Sequence, residues 1–221
     1  MATTLNTQTI ESFAALYDAG YDRAIFPAEY VSLSHLTHDA LAAVGYTYPV
    51  VTTLTVCKLQ AIMDWKWPPG KTKKLAAKNV AETVQETARE AFAAPDAAEA
   101  VRILCRLHGV GVPMSSAILT CFDPLRYTVI DARALNALKR LGLLDEMGLD
   151  ESDVQFPDAD AYGVYRAGCM QLADEARVSL RSLDRCLWML DSTGLYTWAI
   201  HGVRLAPIGA SPASGMQWAA E

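Results

Sequence analysis

Three groups of residues in this chain could do chemistry. Gly109 and Gly111 flank Val110 in the run Leu107-His108-Gly109-Val110-Gly111, and Pro113 follows directly. Glycine tolerates positive φ and leaves the backbone bare, so several main-chain N–H groups can point outward where the next helix begins. Pro113 suits the first turn of that helix, where its missing N–H costs nothing. Backbone donors and a helix dipole together favour a phosphate. Such a contact positions a nucleic acid and specifies no base. The same pattern also fits a tight corner between two helices with no ligand. Asp131 closes the β-favouring run Tyr127-Thr128-Val129-Ile130 and precedes Ala132-Arg133-Ala134-Leu135. It can cap the following helix, worth roughly 1 kcal/mol. It can also offer a carboxylate that stabilises an oxocarbenium-like sugar or activates a water, as in glycoside hydrolysis. The two roles are compatible. Lys66 stands between Trp65 and Trp67. The lysine could grip a phosphate or reach a sugar while a tryptophan stacks on a base. Alternatively both rings are core and the ammonium snorkels outward.

The elements that must position these residues read as helices. Thr9 can cap a first helix through Ile10, Phe13 and Tyr17, and Thr37 a short one closed by Gly45. Periodicity alone leaves Val50 to Met63 open between strand and buried helix; the helical surroundings favour helix. Leu75, Val80, Val84, Ala88 and Phe92 form one helical stripe. Asp96 is a cap with Glu99 at the capping-box position. Gly142 is a natural stop for the helix after Asp131. An acidic loop with Pro157 leads to a helix through Tyr162, Tyr165 and Cys169, and a last helix carries Leu183, Leu187 and Trp188. Asp184 and Arg185 read as structural. From about residue 199 to 221 the chain reads as an irregular tail. The expected class is all-α, with the 221 residues forming one domain of two helical lobes.

Composition bounds the function. The apolar fraction of 52% supports a sizeable core. No apolar run approaches the roughly 20 residues that span a bilayer, and the N-terminus lacks the pattern of a signal peptide. A soluble cytoplasmic, nucleoid-associated monomer is expected. Five cysteines without a C-x-x-C pair argue against a zinc or iron–sulfur site. The net charge of −6 argues against nucleic acid, but the charges are unevenly placed. Lys58, Lys66, Lys71, Lys73, Lys74 and Lys78 crowd one segment. Arg102, Arg106, Arg126, Arg133, Lys139 and Arg140 surround the central stretch, and the acids gather from Asp145 to Asp160. That asymmetry can make one basic face, or it can be ordinary solvated helix surface.

The order Leu-x-Gly-Val-Gly, a small-residue helix Met114-Ser115-Ser116-Ala117-Ile118-Leu119, a short linker, then Val129-Ile130-Asp131-Ala132-Arg133 resembles the helix-hairpin-helix DNA glycosylase superfamily. It looks closest to bacterial proteins with an 8-oxoguanine glycosylase-like fold. The specific match runs from about 98 to 141, with the hairpin motif about 98–122 and the Asp131 helix about 131–141. The resemblance implies a two-lobed helical fold with double-stranded DNA across the cleft and a modified base flipped out of the stack. The hairpin Leu107, His108, Gly109, Val110 and Gly111 would hold the backbone, and Asp131 would be the essential aspartate. Pro113, Arg133 and Lys71 are further candidates for contact with DNA, Lys71 being equally a solvated helix start. Trp65, Trp67 and Tyr127 are candidates for the base pocket, and Tyr127 could equally pack beneath it. No metal or organic cofactor is implied beyond a monovalent cation at the hairpin. His108 replaces the usual hairpin proline. Pro113 stands where bifunctional members place a Schiff-base lysine, so the expectation is a monofunctional glycosylase, with Lys66 the first candidate for any lysine chemistry. The rivals are a DNA-binding module without catalysis and a helical protein-interaction domain.

Overall fold

The computed structural model describes residues 5–20, 54–66 and 72–193. The helix expected from Thr37, together with Trp67, Lys71 and the tail, lies outside the described residues. The described elements are all helical, with no strand among them. In order they are α1 (Thr7–Gly20), α2 (Val56–Lys66), α3 (Thr72–Ala76), α4 (Ala81–Phe92), α5 (Ala97–Leu104), α6 (Val112–Phe122), α7 (Ala132–Leu141), a 3₁₀ turn (Asp145–Met147), α8 (Glu151–Gln155), α9 (Ala159–Ala176) and α10 (Leu180–Thr193).

The fold is built around α6, whose residues from Met114 to Cys121 are all buried. A helix apolar all round must be enclosed, and α2, α5 and α9 pack on it. Its polar residues are satisfied locally: Thr120 Oγ1 donates to Ser116 O at 2.8 Å, and Ser115 Oγ lies 3.3 Å from Cys105 Sγ. The amphipathic α7 buries Leu135, Leu138 and Leu141 and packs on α10, which also receives α1. No described helix is long and apolar enough to cross a membrane.

Most caps follow from sequence. Asp96 accepts from Glu99 N, and Gly142 sits at φ 74°, where the left-handed region favours glycine. Glu99 gives its carboxylate to Arg102. Val56–Lys66 is helix, as its surroundings favoured. Three expectations need correction. Asn6, not Thr9, caps α1, its Oδ1 accepting from Thr9 N at 2.9 Å. The stripe from Leu75 to Phe92 is two helices, α3 and α4, and Val80 at the break is 63% exposed. The acidic loop holds α8, started by a full capping box between Asp150 and Asp153.

Candidate active site

Residues Tyr127 to Ile130 favour a strand by composition, yet they form neither strand nor helix. A buried backbone outside helix and sheet needs other acceptors and donors, and α9 supplies them. Arg166 Nε donates to Arg126 O at 2.6 Å, Tyr162 OH to Thr128 O at 3.1 Å and Tyr165 OH to Val129 O at 3.0 Å. From the other side, Ile130 N donates to Ser116 Oγ at 3.1 Å, and that hydroxyl donates to Pro113 O at 2.9 Å. Three side chains of α9 and one of α6 thus fix the run that delivers Asp131.

Asp131 performs two tasks with its two oxygens. Oδ1 accepts from Ala134 N at 3.0 Å and caps α7. Oδ2 accepts from Lys66 Nζ at 2.6 Å. The side chains retain only 11% (Lys66) and 19% (Asp131) exposure, so the pair is largely screened from water while one edge stays open. Burial pushes the Asp131 carboxyl up. The Lys66 charge and hydrogen bond, with the N–H groups of Ala134 and Arg133, outweigh it and hold the carboxyl below its usual range. The helix ends reinforce this arrangement. Lys66 is the last residue of α2, where a cation is favoured, and Asp131 is the N-cap of α7, where an anion is favoured.

Behind the pair lies a second one that sequence reading missed. Arg181 and Asp184, both buried, form an ion pair within the first turns of α10. The Arg181 guanidinium sits 5.5 Å from the Tyr17 ring centroid and 6.0 Å from that of Trp65. Burial raises the Asp184 carboxyl; Arg181 opposes that, and the Asp131 charge adds to the rise. Arg185 turns instead to Asp18 at 3.2 Å. Asp184 and Arg185, expected to form a structural pair with each other, pair instead with Arg181 and Asp18.

The hairpin joins α5 to α6. Leu107 and Val110 are buried, whereas His108 and Gly111 are exposed. Gly109 alone has positive φ, 77°, and a Cβ there would stand 2.8 Å from Leu75 Cβ. Gly111 has φ −100° with nothing within 4 Å of a Cβ position, so neither conformation nor crowding requires glycine there. What it leaves is open space over the start of α6. Among the described residues the N–H groups of Gly109, Gly111 and Val112 meet no acceptor. Pro113 occupies the second helical position of α6.

The other expected site residues divide. Trp65 is half-buried and packs against the core. Tyr127, the first residue of this run, is buried and not at an opening. It is 4% exposed, edge-on to Phe92 at 6.1 Å, with Arg126 and Arg166 over its ring. Arg133 lies 3.5 Å from Asp191 and 4.9 Å from the Trp188 ring centroid.

The expected basic border is largely neutralised. Arg102 pairs with Glu99 and Asp160, Arg106 with Glu90, Arg126 with Asp123 and Lys139 with Glu151. The acidic segment that seemed remote in sequence folds back onto these cations. Lys74 and Lys78, in and just after α3 beside the hairpin, are exposed. No group of three or more potential metal-ligating side chains occurs among the described residues. No protein-family model, curated protein or solved structure matches the chain.

Proposed function

We propose that the chain is a helix-hairpin-helix DNA glycosylase of two helical lobes that flips a modified base from duplex DNA and hydrolyses its N-glycosidic bond. The observation that carries this reading is the 2.6 Å contact between Lys66 Nζ and Asp131 Oδ2. Two residues 65 positions apart, singled out by separate sequence patterns, meet at one partly open point. The α5–α6 hairpin supports the reading, with N–H groups that meet no acceptor among the described residues and face open space suited to a phosphate.

Base flipping brings the glycosidic carbon to Asp131. As the C1′–N bond lengthens, positive charge grows on the sugar, and the ionised carboxylate stabilises it. Water adds to C1′ and loses a proton; the base leaves with the bonding pair and gains one. Lys66 holds the carboxylate in place. Repair of damaged DNA and removal of modified bases from invading phage DNA both fit this chemistry. Asp131→Asn keeps the α7 cap, because asparagine caps as well as aspartate. It should slow base release at least about a hundredfold while duplex binding survives. Full activity in that variant would sink the assignment.

The same contact favours a second reading. Once Lys66 has passed a proton to Asp131, its free amine can displace the base at C1′; the base leaves with the bonding pair and takes that proton from Asp131, the C1′–O4′ bond then breaks as the Lys66 nitrogen gives one of its protons to O4′, and a protonated imine is left on Lys66. This chemistry would come from α2, not from position 113. Borohydride reduction would then trap a covalent protein–DNA adduct, lost in Lys66→Met; hydrolysis by Asp131 alone gives none.

A further inference from the structure

We infer that Asn79 is a positioning residue for the hairpin: its carboxamide holds the His108 backbone from both sides, replacing the rigidity that a proline at 108 would supply. Asn79 follows α3 and belongs to no helix. Its Oδ1 accepts from His108 N at 2.8 Å, and its Nδ2 donates to His108 O at 3.1 Å. The same Nδ2 lies 3.2 Å from Leu75 O and 3.3 Å from Ala76 O, so the side chain is anchored on the last turn of α3.

The consequence for the hairpin is directional. The His108 carbonyl belongs to the peptide plane that carries the Gly109 N–H. Fixing that carbonyl fixes where the N–H points, and this N–H meets no acceptor among the described residues. Leu75, from the same short helix, closes the space where a Gly109 side chain would go. Helix α3 is in turn tied to α2, because Thr72 Oγ1 donates to Asp64 two residues before Lys66. One segment therefore links the lysine of the catalytic pair to the hairpin. It also accounts for His108, since a proline has no N–H to give Asn79.

The inference rests on the glycosylase reading, in which the hairpin grips a phosphate. The test measures binding of the full chain to a labelled duplex bearing a tetrahydrofuran abasic-site analogue, over a range of salt. Amide hydrogen exchange across 107–111 is measured in the free protein. Asn79→Ala should weaken binding about tenfold. It should also make the slope of log affinity against log salt shallower by about one phosphate contact, and speed exchange at His108 to Gly111. The slope separates lost positioning from general destabilisation. In a His108→Pro background the Asn79→Ala penalty should shrink, because one of the two bonds is already gone.

Wild-type affinity and slope in Asn79→Ala, or an undiminished penalty beside His108→Pro, overturns the inference alone. A wild-type chain that does not bind the duplex at low salt overturns the glycosylase reading and this inference with it. Should Asn79→Ala fail to fold, Asn79→Asp retains the acceptor for His108 N but sets oxygen against three carbonyls, and the same losses are expected.

Discussion

Breaking the Lys66–Asp131 pair from either side should be costly, and breaking it from both sides should not. Asp131→Asn leaves the Ala134 N–H capped, so the α7 cap contributes little to the change. The new amide, however, cannot accept a full charge-assisted bond from Lys66. Removing one partner of a buried ion pair costs about 3–5 kcal/mol, because the other charge stays desolvated. Here 11% and 19% of the side-chain surfaces remain exposed, which places the cost at the lower end, about 3 kcal/mol. Lys66→Met leaves the carboxylate with its cap alone and should cost a similar amount. In the double variant no charge is stranded, and a methionine fills the stem's place. The double should therefore cost less than either single change, a coupling of several kcal/mol. The assay is equilibrium urea unfolding near neutral pH. Asp131 is held below its usual range in the fold, so its contribution is present above the unfolded carboxyl value and lost as pH falls below it. That acid-side loss should be missing from Asp131→Asn. Additive costs in the double variant would refute the claim that the two groups act as one unit.

Further outcomes concern Asp123 and the hairpin glycines. Burial pushes the Asp123 carboxyl up to about 6, against the opposing pull of Arg126. The folded state thus binds more protons than the unfolded one between about pH 4 and about pH 6, and about 3 kcal/mol of stability is lost as pH rises through that window. Asp123→Asn, which keeps an oxygen for the Arg126 N–H, should flatten the pH profile of the urea midpoint there; an unchanged profile would exclude Asp123 as its source. At the hairpin, Gly109→Ala should cost about 1–2 kcal/mol from its positive φ, and more from contact with Leu75. Gly111→Ala should alter stability by less than about 0.5 kcal/mol, yet weaken duplex binding by placing a methyl before the open N–H groups. Thermal melts with binding measurements separate the two glycines.

Local signals were legible and tertiary ones were not. The caps at Asp96 and Asp131 and the stop at Gly142 depend on a few neighbouring residues, and each is where sequence places it. The all-helical class follows from periodicity. The Tyr127–Ile130 run misleads because β-branched residues also suit a buried segment outside any sheet, provided distant side chains satisfy its backbone. Tyr162, Tyr165 and Arg166 do so from a helix more than thirty residues away. Asn79 carried no signal because its partner, His108, is 29 residues distant. Val80 matched the apolar stripe only because period counting passes over the break after Ala76. Charge counting had the opposite failing. It left one basic face and an ordinary solvated surface equally open, while the chain returns Glu90, Glu151 and Asp160 to pair with its cations. Surface pairs of this kind contribute at most about 1 kcal/mol each, but they reduce the field available to a nucleic acid.

The central claim is that the Lys66–Asp131 site cleaves an N-glycosidic bond. Its most direct measurement is mass-spectrometric detection of free base released from duplex oligonucleotides, each bearing a different oxidised, alkylated or otherwise modified base, under single-turnover conditions. Release is expected from at least one duplex by the wild-type chain, and at least about a hundredfold slower from the same duplex by Asp131→Asn, with binding intact. Release undiminished in Asp131→Asn, or no release from any duplex that the wild-type chain binds, would contradict it.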